Sequence, residues 1–379
     1  MAHAVDRYDS LDVWRGAACL MVILYHSTLV YLINTPTMGT SWPELAIHIA
    51  NLGNVGVPLF FVISGYCITA AARRVIVTGQ GPGAYFWRRF RRIYPPLWCV
   101  IIASVGYFLI VDAWLYPGLL SSEPWAQLRP WWYSGWQWFG NLTLTETWRH
   151  HIVGGPRGHF PGQAWTLCYE EQFYAVIGAL LLVRRWFYPA AAIISLASVA
   201  VLVNARAGGP TFAGFFFDGS WLTFAAGILV YWLVSAPHRQ SVWLFSAVLL
   251  ISGGILAGPL GLSGGAAAAS LALFLAFGAR FDRRIAQSWL TRPLNYCGRM
   301  CYSLYLVHQL IAKSVSQAAW NAGFTSASDT VLVVMPLVVA ASVVSGRLAF
   351  VTIERRFLNT PSFARPSTHL VPGTAGMAP

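Results

Sequence analysis

The amino-acid sequence predicts an all-α polytopic membrane protein with about ten transmembrane helices and both termini in the cytoplasm. Three observations predict it. Only 10% of the 379 residues are charged and 56% are apolar, whereas a water-exposed globule carries about a quarter charged residues. Apolar runs close to the roughly 20 residues needed for one crossing recur along the chain. The 25 basic residues, 24 Arg and one Lys against 13 acids for a net charge of +12, fall mostly in alternate connections between those runs. In a soluble chain that surplus would point to nucleic acid. In a membrane protein it first sets orientation.

The expected spans lie near 12–32, 54–72, 93–111, 164–183, 188–204, 219–236, 241–258, 262–280, 296–317 and 329–353. The first is too long for a signal-peptide core and lacks a small-residue cleavage site, so it stays as a helix. With the N-terminus inside, nineteen basic residues fall on the cytoplasmic side and five outside, with Arg347 within the last span. The six cysteines sit in or at the ends of apolar runs and read as small packing residues. The domain is expected over 1–358, with an outer segment over 112–163 holding seven of the 18 tryptophans and a disordered tail over 359–379. No internal repeat is visible.

Ionisable groups at membrane depth are costly and mark function by default. In LDVWRGAACLMVILYH, Arg15 and His26 are eleven residues apart. At about 100° and 1.5 Å per residue this returns to the same helix face, with His26 about 16 Å further along. Asp12 lies near that stripe. The second span, GVPLFFVISGYCIT, carries Ser64 and Gly65; the fourth, AWTLCYEEQFY, carries Trp165, Glu170 and Tyr174; the ninth, CGRMCYSLYLVHQ, carries Tyr305 and His308. Four spans thus bring polar groups to similar depth. Each also has a plainer reading: a satisfied buried histidine, a small-residue helix contact at Ser64 and Gly65, an interfacial Glu170.

The run YFWRRFRRIYPP places four arginines in five residues, Arg88, Arg89, Arg91 and Arg92. Positive-inside sorting alone produces such runs, but planar bidentate donors also suit a phosphorylated ligand. The Trp-rich segment reads either as an interfacial belt or as a platform for stacking sugar rings. His150, His151 and His159 are too loosely spaced for a metal site, and no metal is expected.

These motifs resemble the bacterial integral-membrane acyltransferase family 3, over roughly residues 8–358 and in a stand-alone form without an extracytoplasmic esterase-like domain. The matches are the Arg15–His26 pair, GVPLFFVISGY ending at Ser64 and Gly65, RRFRRI with Arg88, Arg89 and Arg92, AWTLCYEEQFY with Trp165 and Glu170, YSLYLVH ending at His308, and TIERRF at Glu354. Pro58 departs from the more polar residue common in that family. The resemblance implies a bacterial inner-membrane O-acyltransferase that takes an acyl group, acetyl by default, from cytoplasmic acyl-CoA to a sugar or glycan hydroxyl. An exopolysaccharide or lipopolysaccharide sugar is the leading acceptor. Arg88, Arg89 and Arg92 would meet the CoA phosphates, with Arg15 holding the donor arm or, with Asp12, positioning helix one.

On this reading His26 is the general base, Glu170 or His308 orients it, and Ser64 donates to the thioester oxygen. Glu170, Tyr174 and Trp165 would bind the acceptor. Direct attack and a covalent acyl-enzyme at His26 or Ser64 are equally compatible with the sequence. The alternative from another class is a multi-helix transporter or flippase of a lipid-linked glycan.

Overall fold

The computed structural model describes residues 8–36, 39–120, 129–235 and 261–358. Among them every regular element is helical. Six stretches are long and apolar enough to cross a membrane: Leu11–Asn34, Trp42–Val77, Pro82–Leu115, Ala164–Arg206, Gly264–Gln287 and Ala327–Phe357. The expected span at 241–258 and the tail over 359–379 lie outside the described residues. The protein is a multi-pass, all-α membrane protein.

The long helices are α1 (Leu11–Asn34), α3 (Gly56–Val77), α4 (Pro82–Tyr107, continued by a wider π turn to Leu115), α7 (Ala164–Leu180), α8 (Phe187–Arg206), α9 (Ser220–Ser235), α10 (Gly261–Gly278), α13 (Cys301–Asn321) and α14 (Met335–Thr352). Shorter helices are α2 (Trp42–Asn51), α5 (Gly135–Thr143), α6 (Glu146–Val153), α11 (Asp282–Gln287) and α12 (Arg292–Arg299). The chain kinks between α7 and α8, where Val183 leaves helical geometry beside Arg184 and Arg185. Helix α13 is less apolar than its neighbours because it carries Ser303, His308, Gln309, Lys313 and Ser314. It packs between α1 and α14, so most of that polar cargo faces protein rather than lipid.

Two small-residue contacts set the positions of the functional helices. Helix α3 crosses α9 at Gly65 and Gly227, where a Cβ on either would overlap a carbonyl of the other helix, Phe224 or Val62. Helix α1 meets α12 in the same way, Gly16 against Leu294 and Gly298 against the Asp12 carbonyl. Close backbone approach of this kind is how helices associate where no hydrophobic effect separates them from lipid.

The Trp-rich segment does more than cover one face of the bundle. Helix α5 starts from a Ser134–Gln137 capping box and runs down beside α4: the Trp98 indole donates to the Leu142 carbonyl at 2.9 Å and the Tyr94 hydroxyl to Thr143 at 3.2 Å. Helix α6 then returns beside α7. The Gln172 amide reaches Thr147 Oγ1 at 3.5 Å, about 12 Å along α7 from its start. Helices α5 and α6 thus form a hairpin that runs along α4 and α7, and its buried polar groups call for protein partners. The buried Glu146 carboxylate takes Arg149 Nε at 2.7 Å and the Gly158 amide at 2.9 Å. Arg149 in turn donates to the carbonyls of Gly154 and Pro156. Trp138 and Trp148 pack inward, against Phe160 and Phe215, while Trp114, Trp131, Trp132 and Trp136 stay exposed. Trp125 lies outside the described residues.

Candidate active site

At the arginine-rich end the first turns of α1 carry Asp12 and Arg15, three residues apart and therefore on one face. Their ion pair closes at 2.7 Å, and the second Arg15 nitrogen donates to Cys67 Sγ on α3 at 2.8 Å. This fixes Arg15 at the edge of a cavity of about 440 Å³ between α1, α3, α4, α7 and α13. Five guanidinium groups line it, those of Arg15, Arg74, Arg89, Arg92 and Arg299, against two carboxylates, Glu170 and Glu354. The cavity is therefore strongly cationic.

The arginine run divides by the partners its members find. Arg89 and Arg92, three apart on α4, face the cavity; Arg88 instead donates to the Gln80 side chain and is not among the lining groups. Deeper in, the Tyr174 hydroxyl donates to Glu170 at 2.9 Å and lies 3.4 Å from Ser64 Oγ. Arg89 sits over the Tyr174 ring, 5.5 Å from its centroid. Glu354 accepts the Ser303 amide at 3.0 Å and its hydroxyl at 2.6 Å.

The histidines form a second group. His26 and His308 face each other with ring centroids 5.2 Å apart, and Tyr305 lies 5.3 Å from His308. His308 is fully buried, and its Nδ1 is 2.6 Å from the Tyr305 carbonyl. A carbonyl only accepts, so Nδ1 carries the proton and Nε2 keeps its lone pair. That Nε2 has no partner among the described residues. His26 itself does not line the arginine cavity; it borders a small chamber of about 40 Å³ on the other side. Tyr305 connects the large cavity to the histidines, its ring against that of His308. It lines the large cavity, and its hydroxyl bonds Thr166 Oγ1 at 2.6 Å.

The expected site residues thus separate into two clusters. Asp12, Arg15, Ser64, Glu170, Tyr174, Arg89 and Arg92 belong to or border the cationic cavity, and His26 and His308 meet beyond Tyr305. Of the two groups considered for orienting His26, His308 is beside it, while Glu170 is bonded to Tyr174. Trp165 lines neither space and packs edge-on against Tyr169 at 6.0 Å. Sequence reasoning assigned Arg74 and Arg299 only to topology, and both face the cavity. Gln163 and Gln309, which border the small chamber, were missed. Their signal was available: an amide within an apolar run is also costly to bury unpaired.

A cationic cavity beside a pair of facing histidines, His308 buried and His26 half-buried, inside a helical membrane bundle points to the class. A family model described as an acyltransferase domain, acyltransferase family 3, matches residues 8–347, and the chain belongs to that family. Its members are acyltransferases that move groups other than aminoacyl groups. The chain is 29% identical over 182 residues to the peptidoglycan O-acetyltransferase OatA of Listeria monocytogenes, covering 47% of this chain and 25% of that protein. It is 29% identical over 178 residues to the acyltransferase MdmB of Streptomyces mycarofaciens, covering 46% and 39%. To the putative peptidoglycan O-acetyltransferase YrhL of Bacillus subtilis it is 28% identical over 198 residues, covering 49% and 26%. The aligned parts span only about a quarter to two fifths of these relatives. No solved structure matches the chain.

Proposed function

We propose that the protein is an O-acyltransferase that carries an acyl group, acetyl by preference, from acyl-CoA in the cytoplasm to a hydroxyl of a glycan or other sugar at the opposite face of a bacterial inner membrane. The observation that carries this reading is the five-arginine cavity abutting the His26–His308 pair across Tyr305. Guanidinium groups match phosphate oxygens in charge and geometry, and a cavity of about 440 Å³ is within the usual range for a ligand. The donor's phosphates would rest on Arg89, Arg92, Arg74 and Arg299, and its thioester would point toward Tyr305. Two family relatives are named for O-acetylation of peptidoglycan, which supports a glycan acceptor for this chain.

In the reaction His26 takes the proton of the acceptor hydroxyl as its oxygen bonds to the thioester carbon. The C–S bond then breaks, and the proton returns from the imidazolium to the departing CoA thiolate. Proton removal of this kind is worth about 10²–10⁴-fold. His308 holds the His26 ring in place, and the Ser64–Tyr174–Glu170 chain lies along the donor's approach. Topology follows from the same assignment: the arginine-rich end faces the cytoplasm, in keeping with positive-inside sorting.

The test is transfer of label from acetyl-CoA by purified protein in detergent to simple glycosides, read as alkali-labile product. Labelled ester is the expected result. Absence of ester with every hydroxyl acceptor, together with solute uptake into proteoliposomes in the absence of any thioester, would overturn the reading in favour of a carrier.

A further inference from the structure

We propose that the small chamber beside His26 is the acceptor subsite, and that Gln163 and Gln309 select a sugar edge carrying two neighbouring hydroxyls. This rests on the acyltransferase reading above. The chamber holds about 40 Å³; at roughly 10–15 Å³ for each water-sized oxygen centre, it takes about three such centres. It therefore accommodates the hydroxyl edge of a ring and not the whole sugar.

The polar atoms of its wall point to the same ligand chemistry. Gln163 is buried, and its Nε2 donates to the Leu306 carbonyl and, at 3.1 Å, to the Tyr305 carbonyl. Turning the amide over would set its oxygen against two carbonyl oxygens, so the orientation is fixed. Its Oε1 is buried and unpartnered among the described residues, as is the Gln309 Oε1 one turn below Lys313 on α13. Both residues border the chamber together with His26. Two acceptor-only oxygens call for two donors, and a carbinol O–H supplies one each. With the amides taking two hydroxyl protons in this way, a third, adjacent hydroxyl fills the chamber's remaining oxygen position and presents its own proton to His26. Phe108 and Phe160, with ring centroids 5.7 Å apart, also line the chamber and supply apolar surface for the C–H groups of a ring. Lys313, whose Nζ donates to the Leu120 carbonyl, closes the far end.

The experiment compares acceptor kinetics at saturating acetyl-CoA for a methyl glycoside with a vicinal diol and its monodeoxy analogue. Wild-type protein is expected to favour the diol by about 10–100-fold in kcat/KM, since a buried acceptor left unpaired rejects the analogue. Gln309→Leu should raise the acceptor KM at least tenfold, leave the acetyl-CoA KM unchanged, and erase the diol preference. Gln309→Glu, which keeps an acceptor oxygen in that place, should restore that preference in part, a rescue that a merely destabilised variant would not show. An unchanged acceptor KM and intact preference in Gln309→Leu, with transfer still running in wild type, overturns the subsite alone. No transfer by wild type to any hydroxyl overturns the acyltransferase reading beneath it.

Discussion

The arginine cavity and the histidine chamber share helices α1 and α13 yet differ tenfold in size, about 440 against 40 Å³, and in charge. The larger is lined by guanidinium donors aimed at anionic oxygen. The smaller is bordered by an imidazole and two glutamine side chains whose amide oxygens are buried without a partner among the described residues. One suits a long anionic donor, the other a compact donor of hydroxyl protons, and Tyr305 stands between the larger and the His308 ring. What the difference teaches is that binding and chemistry are assigned to separate spaces, so lesions in each should fail in different kinetic terms.

The largest effect should come from His26. His26→Ala is expected to lower kcat by about 10²–10⁴-fold with the KM for acyl-CoA nearly unchanged, because His26 does not line the donor cavity. A variant that kept its kcat would remove the distinction between the two chambers. Next in size is the scaffold of the hairpin. Glu146→Ala leaves the buried Arg149 guanidinium without its carboxylate, which costs about 3–5 kcal/mol where a buried pair is broken from one side. Hydrogen exchange should open over the α5–α6 hairpin while α1 and α13 stay protected; uniform loss of protection would contradict a locally pinned hairpin.

Removing donor-side charge should act on binding. Arg89→Ala and Arg92→Ala are each expected to raise the acyl-CoA KM by about 10–100-fold, one charge-assisted contact being worth about 1.5–3 kcal/mol, with kcat changed less than threefold. Arg88→Ala, whose guanidinium is engaged by Gln80, serves as the control from the same run. Equal damage from all three would mean that the run acts through topology or folding.

Legibility followed the reach of helical arithmetic. The eleven-residue step from Arg15 to His26 was readable because both lie on one helix, whose period fixes face and height. Phase was no guide in RRFRR, where Arg92 shares a face with Arg88 at four residues as well as with Arg89 at three, and the Gln80 side chain that draws Arg88 away lies outside the run. What the sequence withheld was azimuth between helices. Depth alone put Ser64, Glu170, His26 and His308 in one layer, but the rotation of α7 turns Glu170 to Tyr174 and the cationic cavity, while α13 turns His308 to His26. That rotation depends on contacts such as Gly65 against Gly227, whose partners are more than a hundred residues apart. The hairpin was masked differently: helices of nine and eight residues fall below the length at which a span announces itself.

The smallest effect belongs to the tryptophan-rich end and separates it from the arginine-rich one by acid. Burial first, and then the charges of Arg157, Arg149 and His150, hold the His159 imidazole down to about 4 from an ordinary 6.5. The folded protein therefore keeps this ring neutral between those values, whereas the unfolded chain binds a proton there. Stability must then fall as pH drops below about 6.5 and stop falling, for this group, near 4; above 6.5 its contribution is complete. At pH 5 the loss is about 1–2 kcal/mol at most, or several degrees or less in Tm for a chain of this length. His159→Gln, which cannot take the proton, should lower the Tm difference between pH 7.5 and pH 5 relative to wild type, with the slope from His150 left in place. Identical differences in the two proteins would show that acid sensitivity originates elsewhere, and would leave the hairpin's return segment no more pH-sensitive than the arginine cavity it faces across the membrane.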